Sequence, residues 1–568
     1  MSFISIYQVL VRLFGNNVTS PVFNGSREEN GVGKMSAFTP HVLKQIREMG
    51  FTHIWYTGLI EHARCQGNPE YGIPDGKPRI IKGKAGSPYA ICDYYDIDPD
   101  LADSVPNRQA EFDDLVRRTH AAGLKMVIDF VPNHVARQYH SNVRPEADFG
   151  RNDHPEWKFS PLNDFYYTAE PLHLPEGSGT KIDGVQVPDY EENPARVTGN
   201  DQFSAWPSVN DWYETVKLNY GVDYQNNRNC QFEPHPVVWQ KMTDILCYWA
   251  ARGVDAFRCD MAEMVPVEFW QYAIAEVKKK YPDIQFIAEI YGPAAYKDYI
   301  YRGGFDYLYD KVGLYDTLRG IICNGEPASN LTRCWQNLDG IDSHMLRFLE
   351  NHDEQRIASR FFAGNPRKAI PAMIVAATLN QGAVMVYFGQ EVGEPADGAT
   401  GFSGDDGRTT IFDYSNVPEF QKWYNGGQAD GALLNTDERE LRDFYCRLLR
   451  LASTEPCFTN GSFYDLMWVN GGIDTSKVYA YLRHTDNEAM LVIVNFDHDN
   501  GKEFRLRVPD DAVSAFCKSN AQVVELSLTA VFGNAPDAKI SPEQLTTSGV
   551  EIKLQAQSGV IYKVGFKI

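Results

Sequence analysis

Four apolar runs end in carboxylates: "VIDFVPNH" in Asp129, "DAFRCD" in Asp260, "FIAEIYG" in Glu289 and "FLENHDEQR" in Asp353. In the second, Arg258 and Asp260 stand two residues apart, and a strand sends alternate side chains to one face. The pair shares a face, with Asp260 where the chain must turn. Taken alone, a strand-terminal Asp is more often a turn or helix cap. An Arg–Asp pair taken alone is as readily a structural ion pair. Taken together, the four ends point to nucleophilic and acid–base work at one bond. Two carboxyl groups about 5 Å apart serve retaining glycoside hydrolysis. One attacks the sugar carbon; the other protonates the leaving oxygen and later activates water. On this reading Asp260 is the nucleophile, kept ionised and oriented by Arg258. Glu289, beside the apolar Ile287, Ala288 and Ile290, is the carboxyl kept protonated as the acid. Asp353 bonds sugar hydroxyls, and His134 and His352 add polar contacts.

These residues are far apart along the chain, so the fold must bring them together. Short apolar strands alternate with helical patterns. "SIYQVLVRLF" reads as the first strand, "FTHIWYTG" as the second, "LKMVIDF" as the third, "VDAFRCD" as the fourth and "IQFIAEI" as the fifth. "FDYLYD", "HMLRFLEN" and "AVMVYFG" supply three more. Between them lie helices such as "TPHVLKQIREMG", ending at Gly50, and "NRQAEFDDLVRRTHAAG", with Asn107 as its N-cap and Gly123 just past its end. Repeated strand–helix units predict an α/β fold with a parallel sheet. Eight of them predict a (β/α)8 TIM barrel, with a doubly wound open sheet as the alternative. In the barrel every strand's C-terminal end meets at one rim, which is the convergence the chemistry requires.

Roughly 100 residues separate the third strand from its helix, too many for an ordinary connection. Residues 135–231 therefore read as an inserted subdomain after strand 3, rich in Pro, Asn, Asp and aromatics. Trp157, Phe165, Tyr166, Tyr167, Trp206, Trp212 and Tyr213 lie there; more of them are expected in its own core than against sugar rings. A helix at "ERELRDFYCRLLRLA" puts Leu441, Phe444, Leu448 and Leu451 on one face. Beyond it "KVYAYLRHTDNEAMLVIVNF" reads as a hairpin. The expected division is a barrel of residues 1–134 and 232–457, an insert of 135–231, and a C-terminal antiparallel β-sandwich domain of 458–568.

The 568 residues carry 75 acidic and 54 basic side chains, a net charge of −21. An acidic surface disfavours nucleic acid and anionic membrane and suits a neutral substrate. None of the ten cysteines stands in a C-x-x-C pair, which argues against zinc ribbons and for free thiols in a reducing compartment. The apolar run "AIPAMIVAATLNQGAVMVYFG" is broken by Asn380, Gln381 and Gly382 and is too short on either side to span a bilayer. The start, "MSFISIYQVLVRLFGN", reads as a strand and not as a signal peptide. A cytoplasmic protein is expected, with no nucleic acid or membrane partner; the sequence does not speak to oligomeric state.

In their order and spacing the four motifs resemble those of the α-amylase superfamily, glycoside hydrolase family 13, and "VYFGQE" is similar to that family's eighth strand. The resemblance implies Asp260 as nucleophile, Glu289 as acid/base and Asp353 as third carboxylate. It implies Arg258, His134, His352 and Asp129 as supporting, substrate-binding residues. "SPYAICDYYDIDP" resembles the segment whose tyrosine stacks on the reactive sugar, here Tyr89. It further implies an α-glucan or maltooligosaccharide substrate with α-1,4 linkages; no cofactor is expected to be required, with calcium as the alternative. Asn133 matches the family's calcium-ligand asparagine, but one oxygen is far short of a site; a buried loop-fixing amide is the preferred reading. Many starch-cleaving members carry Lys-His after the nucleophile motif, where the His backbone helps hold calcium; here those positions are Glu263 and Met264. The motif closing the insert, "VKLNYGVDY", keeps Leu218 and Asn219 without the usual preceding proline. Three functions follow from the pattern. The first is an α-amylase-like retaining hydrolase. The second is a transglycosylase of the same superfamily. The third is an inactive carbohydrate-binding homologue, disfavoured because no carboxylate is lost.

Overall fold

Eight largely buried strands close into a parallel barrel. They are β1 (Ile4–Leu10), β2 (His53–Thr57), β3 (Lys125–Phe130), β4 (Ala256–Cys259), β5 (Gln285–Ala288), β6 (Tyr307–Tyr309), β7 (Met345–Arg347) and β8 (Ala383–Tyr387). Sequence neighbours are ring neighbours, and β8 closes on β1, pairing Ala383 with Ile4 and Tyr387 with Gln8. Nearly every strand residue is buried, since one face fills the barrel and the other packs beneath the helices. The structure, a computed structural model, describes residues 3–182, 187–398, 401–517 and 523–567. Among them no helix is long and apolar enough to cross a membrane.

The helices follow their sequence signals with two exceptions. Thr39 caps Pro40–Glu48, its side chain accepting from the Val42 amide at 3.2 Å. The chain then turns through Gly50 at φ +109°, where a Cβ would stand 2.9 Å from the backbone of Leu449 and Arg450; only glycine fits both demands. The helix Val237–Ala251 buries Trp239, Met242, Leu246 and Trp249. The first exception is the opening segment: β1 stops at Leu10 and Val11–Phe14 forms one helical turn. The second is Asn107. It precedes the helix Arg108–Ala121, but its side chain makes no cap bond and donates instead to Ser104 Oγ at 3.1 Å. In the helix Thr436–Thr454, Leu441 and Leu448 are buried with Tyr445 and Leu449, while Phe444 and Leu451 lie at the edge of the buried stripe.

Between β3 and the helix Val237–Ala251 regular structure is sparse. His134–Ala136 pairs antiparallel with Thr215–Lys217, tying the segment's return to its departure point. Phe165, Tyr166, Tyr167 and Tyr213 are buried within it, whereas Trp157 and Trp206 are exposed. The C-terminal part is antiparallel. A six-stranded sheet runs Ser462–Asp465, Val478–His484, Ala489–Asn495, Ser558–Lys567, Glu525–Phe532, Ala538–Ile540, and a second ladder joins Lys502–Leu506 to Val550–Leu554. The hairpin read from sequence is the Val478–His484 and Ala489–Asn495 pair.

Candidate active site

The C-terminal ends of β3, β4 and β5 are adjacent, and their polar side chains meet at one guanidinium. Arg258 is wholly buried and is the register partner of Asp129 on β3. Its Nη1 donates to Asp260 Oδ1 at 2.8 Å and reaches Asp129 Oδ1 at 3.4 Å. Its Nη2 lies 2.8 Å from Glu289 Oε2. Its Nε donates to the Tyr309 hydroxyl on β6 at 3.1 Å. The rings of Trp55, Tyr89 and Tyr309 stand 5.2, 5.4 and 5.5 Å from the guanidinium carbon. A cation with three carboxylates and three aromatic rings around it is held in one geometry and holds its partners in turn.

Asp260 follows the last residue of β4, and the chain turns at once. Met261 takes φ +43°, a left-handed conformation uncommon for a side chain of this size. That turn aims the Met261 amide at Glu289 Oε2, 2.8 Å away. The Ala262 amide donates to the Glu289 backbone carbonyl at 3.0 Å. Trp270 then fixes the turn from behind, donating to the Ala262 carbonyl at 3.0 Å. Strain stored at Met261 thus sets one candidate catalytic group against the other.

Glu289 was expected in an apolar setting. Ile287, Ala288 and Ile290 are indeed buried, but the carboxyl itself lies in a ring of donors. Besides Met261 and Arg258, the Tyr291 hydroxyl donates to Oε1 at 2.5 Å. Glu263 takes the position of the Lys in the Lys-His pair, and both its oxygens are occupied by the amides of Tyr291 and Gly292 at 3.1 and 3.0 Å. It therefore ties the loop after β4 to the loop after β5.

Burial, and then the neighbouring Glu289 carboxylate, push Asp260 well above the usual carboxylate range against the pull of Arg258. Asp260 therefore takes up its proton at a higher pH than an isolated aspartate. Burial likewise raises Asp129 against Arg258; that residue accepts from Trp55 Nε1 at 2.9 Å and the Tyr89 hydroxyl at 3.2 Å. Burial pushes Asp353 up, but His352, Arg258 and Arg408 together outweigh it and hold this carboxyl below its ordinary value. His352 Nε2 lies 3.0 Å from Asp353 Oδ2, and its Nδ1 lies 2.8 Å from Gln8 Nε2 on β1. The Tyr89 ring stacks on His352 with centroids 5.0 Å apart.

The structure thus brings Asp129, Arg258, Asp260, Glu289, Asp353, His352 and Tyr89 to one rim. His134 sits further along, against the Tyr89 backbone and the Trp212 ring, with burial and the Lys217 charge pushing it down to about 3. Trp55, Tyr309, Gln8 and Tyr291 belong to the site and were not read from sequence. Tyr291 alone had a local signal, standing two residues beyond Glu289 on the same run. The expectation that Asn133 could serve as a calcium ligand meets a chemical obstacle. Its Oδ1 accepts from Lys217 Nζ at 2.7 Å, so a fixed ammonium already lies where a bound cation would be.

Comparison with known proteins agrees with this architecture. Residues 21–303 match the family described as "Alpha amylase, catalytic domain", and residues 468–565 match "Alpha amylase, C-terminal all-beta domain". Alpha-amylase 3 of Dictyoglomus thermophilum is 21% identical over 430 residues, covering 72% of this chain and 74% of that protein. The alpha-1,4-glucan:maltose-1-phosphate maltosyltransferase of Picrophilus torridus is 22% identical over 484 residues, covering 84% of this chain and 61% of that protein. Among solved structures, a maltogenic alpha-amylase from Thermotoga neapolitana superposes with a TM-score of 0.61 at 20% identity, covering 100% of this chain and 99% of that one. By its two matched domains, its closed eight-stranded barrel and its four ordered motifs, the chain belongs to the α-amylase superfamily, glycoside hydrolase family 13.

Proposed function

We propose that the chain is a retaining glycosidase acting on α-1,4-linked glucans or maltooligosaccharides. The observation that carries the reading is the single guanidinium of Arg258, which contacts both Asp260 and Glu289. Two carboxyl groups gripped by one planar cation favour the short separation of retaining enzymes over the roughly 6.5–9.5 Å gap that admits a water in inverting ones. Asp260 attacks the anomeric carbon. Glu289 protonates the departing oxygen and then, as base, activates the water that releases the sugar. Asp353, partly exposed and held ionised, is placed to accept hydrogen bonds from hydroxyls of the bound ring. The aromatic face of Tyr89 supplies an apolar surface for the C–H side of that ring. The relatives named alpha-amylase, and those named cyclomaltodextrinase and alpha-glucosidase, support an α-glucoside substrate.

Incubation with a maltooligosaccharide series, with the product anomer followed by NMR from the first minutes, tests the reading. Products released first as the α-anomer are expected. First release of the β-anomer, or no turnover of any α-glucan, would overturn it.

A second reading, transfer of the glycosyl group to another acceptor, is favoured by one feature. Glu263 is occupied by backbone amides and offers nothing like the Lys-His pair to an acceptor sugar. Longer oligosaccharides appearing with little new reducing sugar would identify that outcome. The ten unpaired thiols support a reducing compartment, and so a cytoplasmic location.

A further inference from the structure

The junction between β3 and the inserted segment is built around a buried positive charge. Lys217, 2% exposed, closes the ladder Thr215–Lys217, whose partner strand starts immediately after Asn133. Its Nζ donates to Asn133 Oδ1 at 2.7 Å and lies 2.6 Å from Asp201 Oδ1. The other end of the Asn133 amide donates to the Gly199 carbonyl at 2.7 Å, so both sides of the side chain are committed. Asp201 sits at φ +62°, a left-handed conformation that Asp adopts more readily than most residues. The Tyr224 ring lies 5.1 Å from Nζ, and its hydroxyl is 3.5 Å from the Met264 carbonyl. Met264 is the position at which the family resemblance implies a backbone calcium ligand.

The donor set does not fit a calcium ion. Calcium takes six to eight oxygens at about 2.3–2.6 Å. Here the asparagine and aspartate oxygens face an ammonium, which could share that space with a dication only at a large electrostatic cost. The same two oxygens are well matched to Lys217, since an ammonium supplies three donors and a single charge.

We propose that the Lys217 ammonium is a built-in cation that holds the inserted segment to the barrel where a divalent ion would otherwise be needed, so that the junction is independent of calcium. The lysine arrives with the strand that it anchors, so the charge is present as soon as the ladder forms.

Thermal unfolding of the full chain in millimolar EDTA and in millimolar calcium chloride, at matched ionic strength, tests this. The wild-type Tm is expected to be the same in both. Lys217→Met leaves Asn133 and Asp201 facing an apolar chain, and is expected to lower Tm in both media by roughly 2 °C or more. Lys217→Ala also empties the space, and part of its loss is expected to return with calcium. A wild-type Tm that falls in the chelator would overturn the proposal. So would a Lys217→Met variant as stable as the wild type. The wild-type comparison decides the matter even if neither variant accumulates as folded protein.

Discussion

The Tyr291 hydroxyl donates to Glu289 Oε1 at 2.5 Å, from a residue two positions further along the same run. A short bond from a hydroxyl to a carboxylate fixes the carboxylate's orientation. Tyr291 therefore holds the carboxyl of the acid in place. Replacing it with phenylalanine removes the donor and keeps the ring. The steady-state kcat on a maltooligosaccharide is expected to fall by loss of orientation, with KM little changed. A kcat equal to that of the wild type would contradict this role.

The two candidate catalytic carboxyls predict different losses. Asp260→Asn removes the nucleophile and is expected to cost at least about 10³-fold in kcat. Glu289→Gln removes the proton donor and is expected to cost about 10²–10⁴-fold. Both variants should unfold near the wild-type temperature, because amides replace carboxyls of equal size. Single-turnover rates with a maltooligosaccharide, together with circular dichroism melts, check both halves.

Asp260 also fixes the sign of the acid limb. Burial and then the Glu289 charge raise it, so the form able to attack is lost as pH falls through a value above that of an ordinary aspartate, about 3.9. The pH profile of kcat/KM for the wild-type enzyme measures this directly. An acid limb below about pH 4 would show that Arg258 outweighs burial.

Arg258 is expected to matter to stability as much as to rate. It is wholly buried and paired with Asp129, Asp260 and Glu289. Arg258→Met would strand buried carboxylates, a change worth about 3–5 kcal/mol in comparable sites. Arg258→Lys keeps the charge but cannot reach three partners from one planar fork. Urea titrations should show a large loss for methionine and an intermediate loss for lysine, with activity lost in both.

His53 offers a test of pH-dependent stability away from the chemistry. Burial, then Lys125, pushes this imidazole down to about 4. The unfolded chain protonates it near 6.5, so between about pH 6.5 and 4 the unfolded state binds the extra proton. Stability therefore falls as pH falls through that window. His53→Leu should flatten the slope by up to about 1.4 kcal/mol per pH unit. Urea midpoints measured at intervals from pH 7 to 4 give the comparison.

Much of the candidate site was readable because strand ends and local motifs are short-range properties. Asp129, Arg258 and Asp260 were found by apolar runs and two-residue alternation. Adjacency along the chain misled: Ile287, Ala288 and Ile290 suggested an apolar setting for Glu289, but its carboxyl lies among the Met261 amide, Arg258 and the Tyr291 hydroxyl. Asn107 looked like a helix cap by residue type, yet Ser104 takes its amide. Trp55, Tyr309 and Gln8 carried no signal at all, since an aromatic or amide in a buried strand is ordinary until its neighbours across the barrel are known.

The sequence by itself determined the strand–helix alternation, the four carboxylate-bearing ends and their order, because periodicity and turn chemistry act over a few residues. Only the tertiary structure decided that one guanidinium would hold Asp260 and Glu289 together. It alone decided that a lysine more than eighty positions away would fill the space beside Asn133. Both depend on which strands become neighbours when the barrel closes and where the inserted segment returns, and such long-range contacts leave no local trace in the chain.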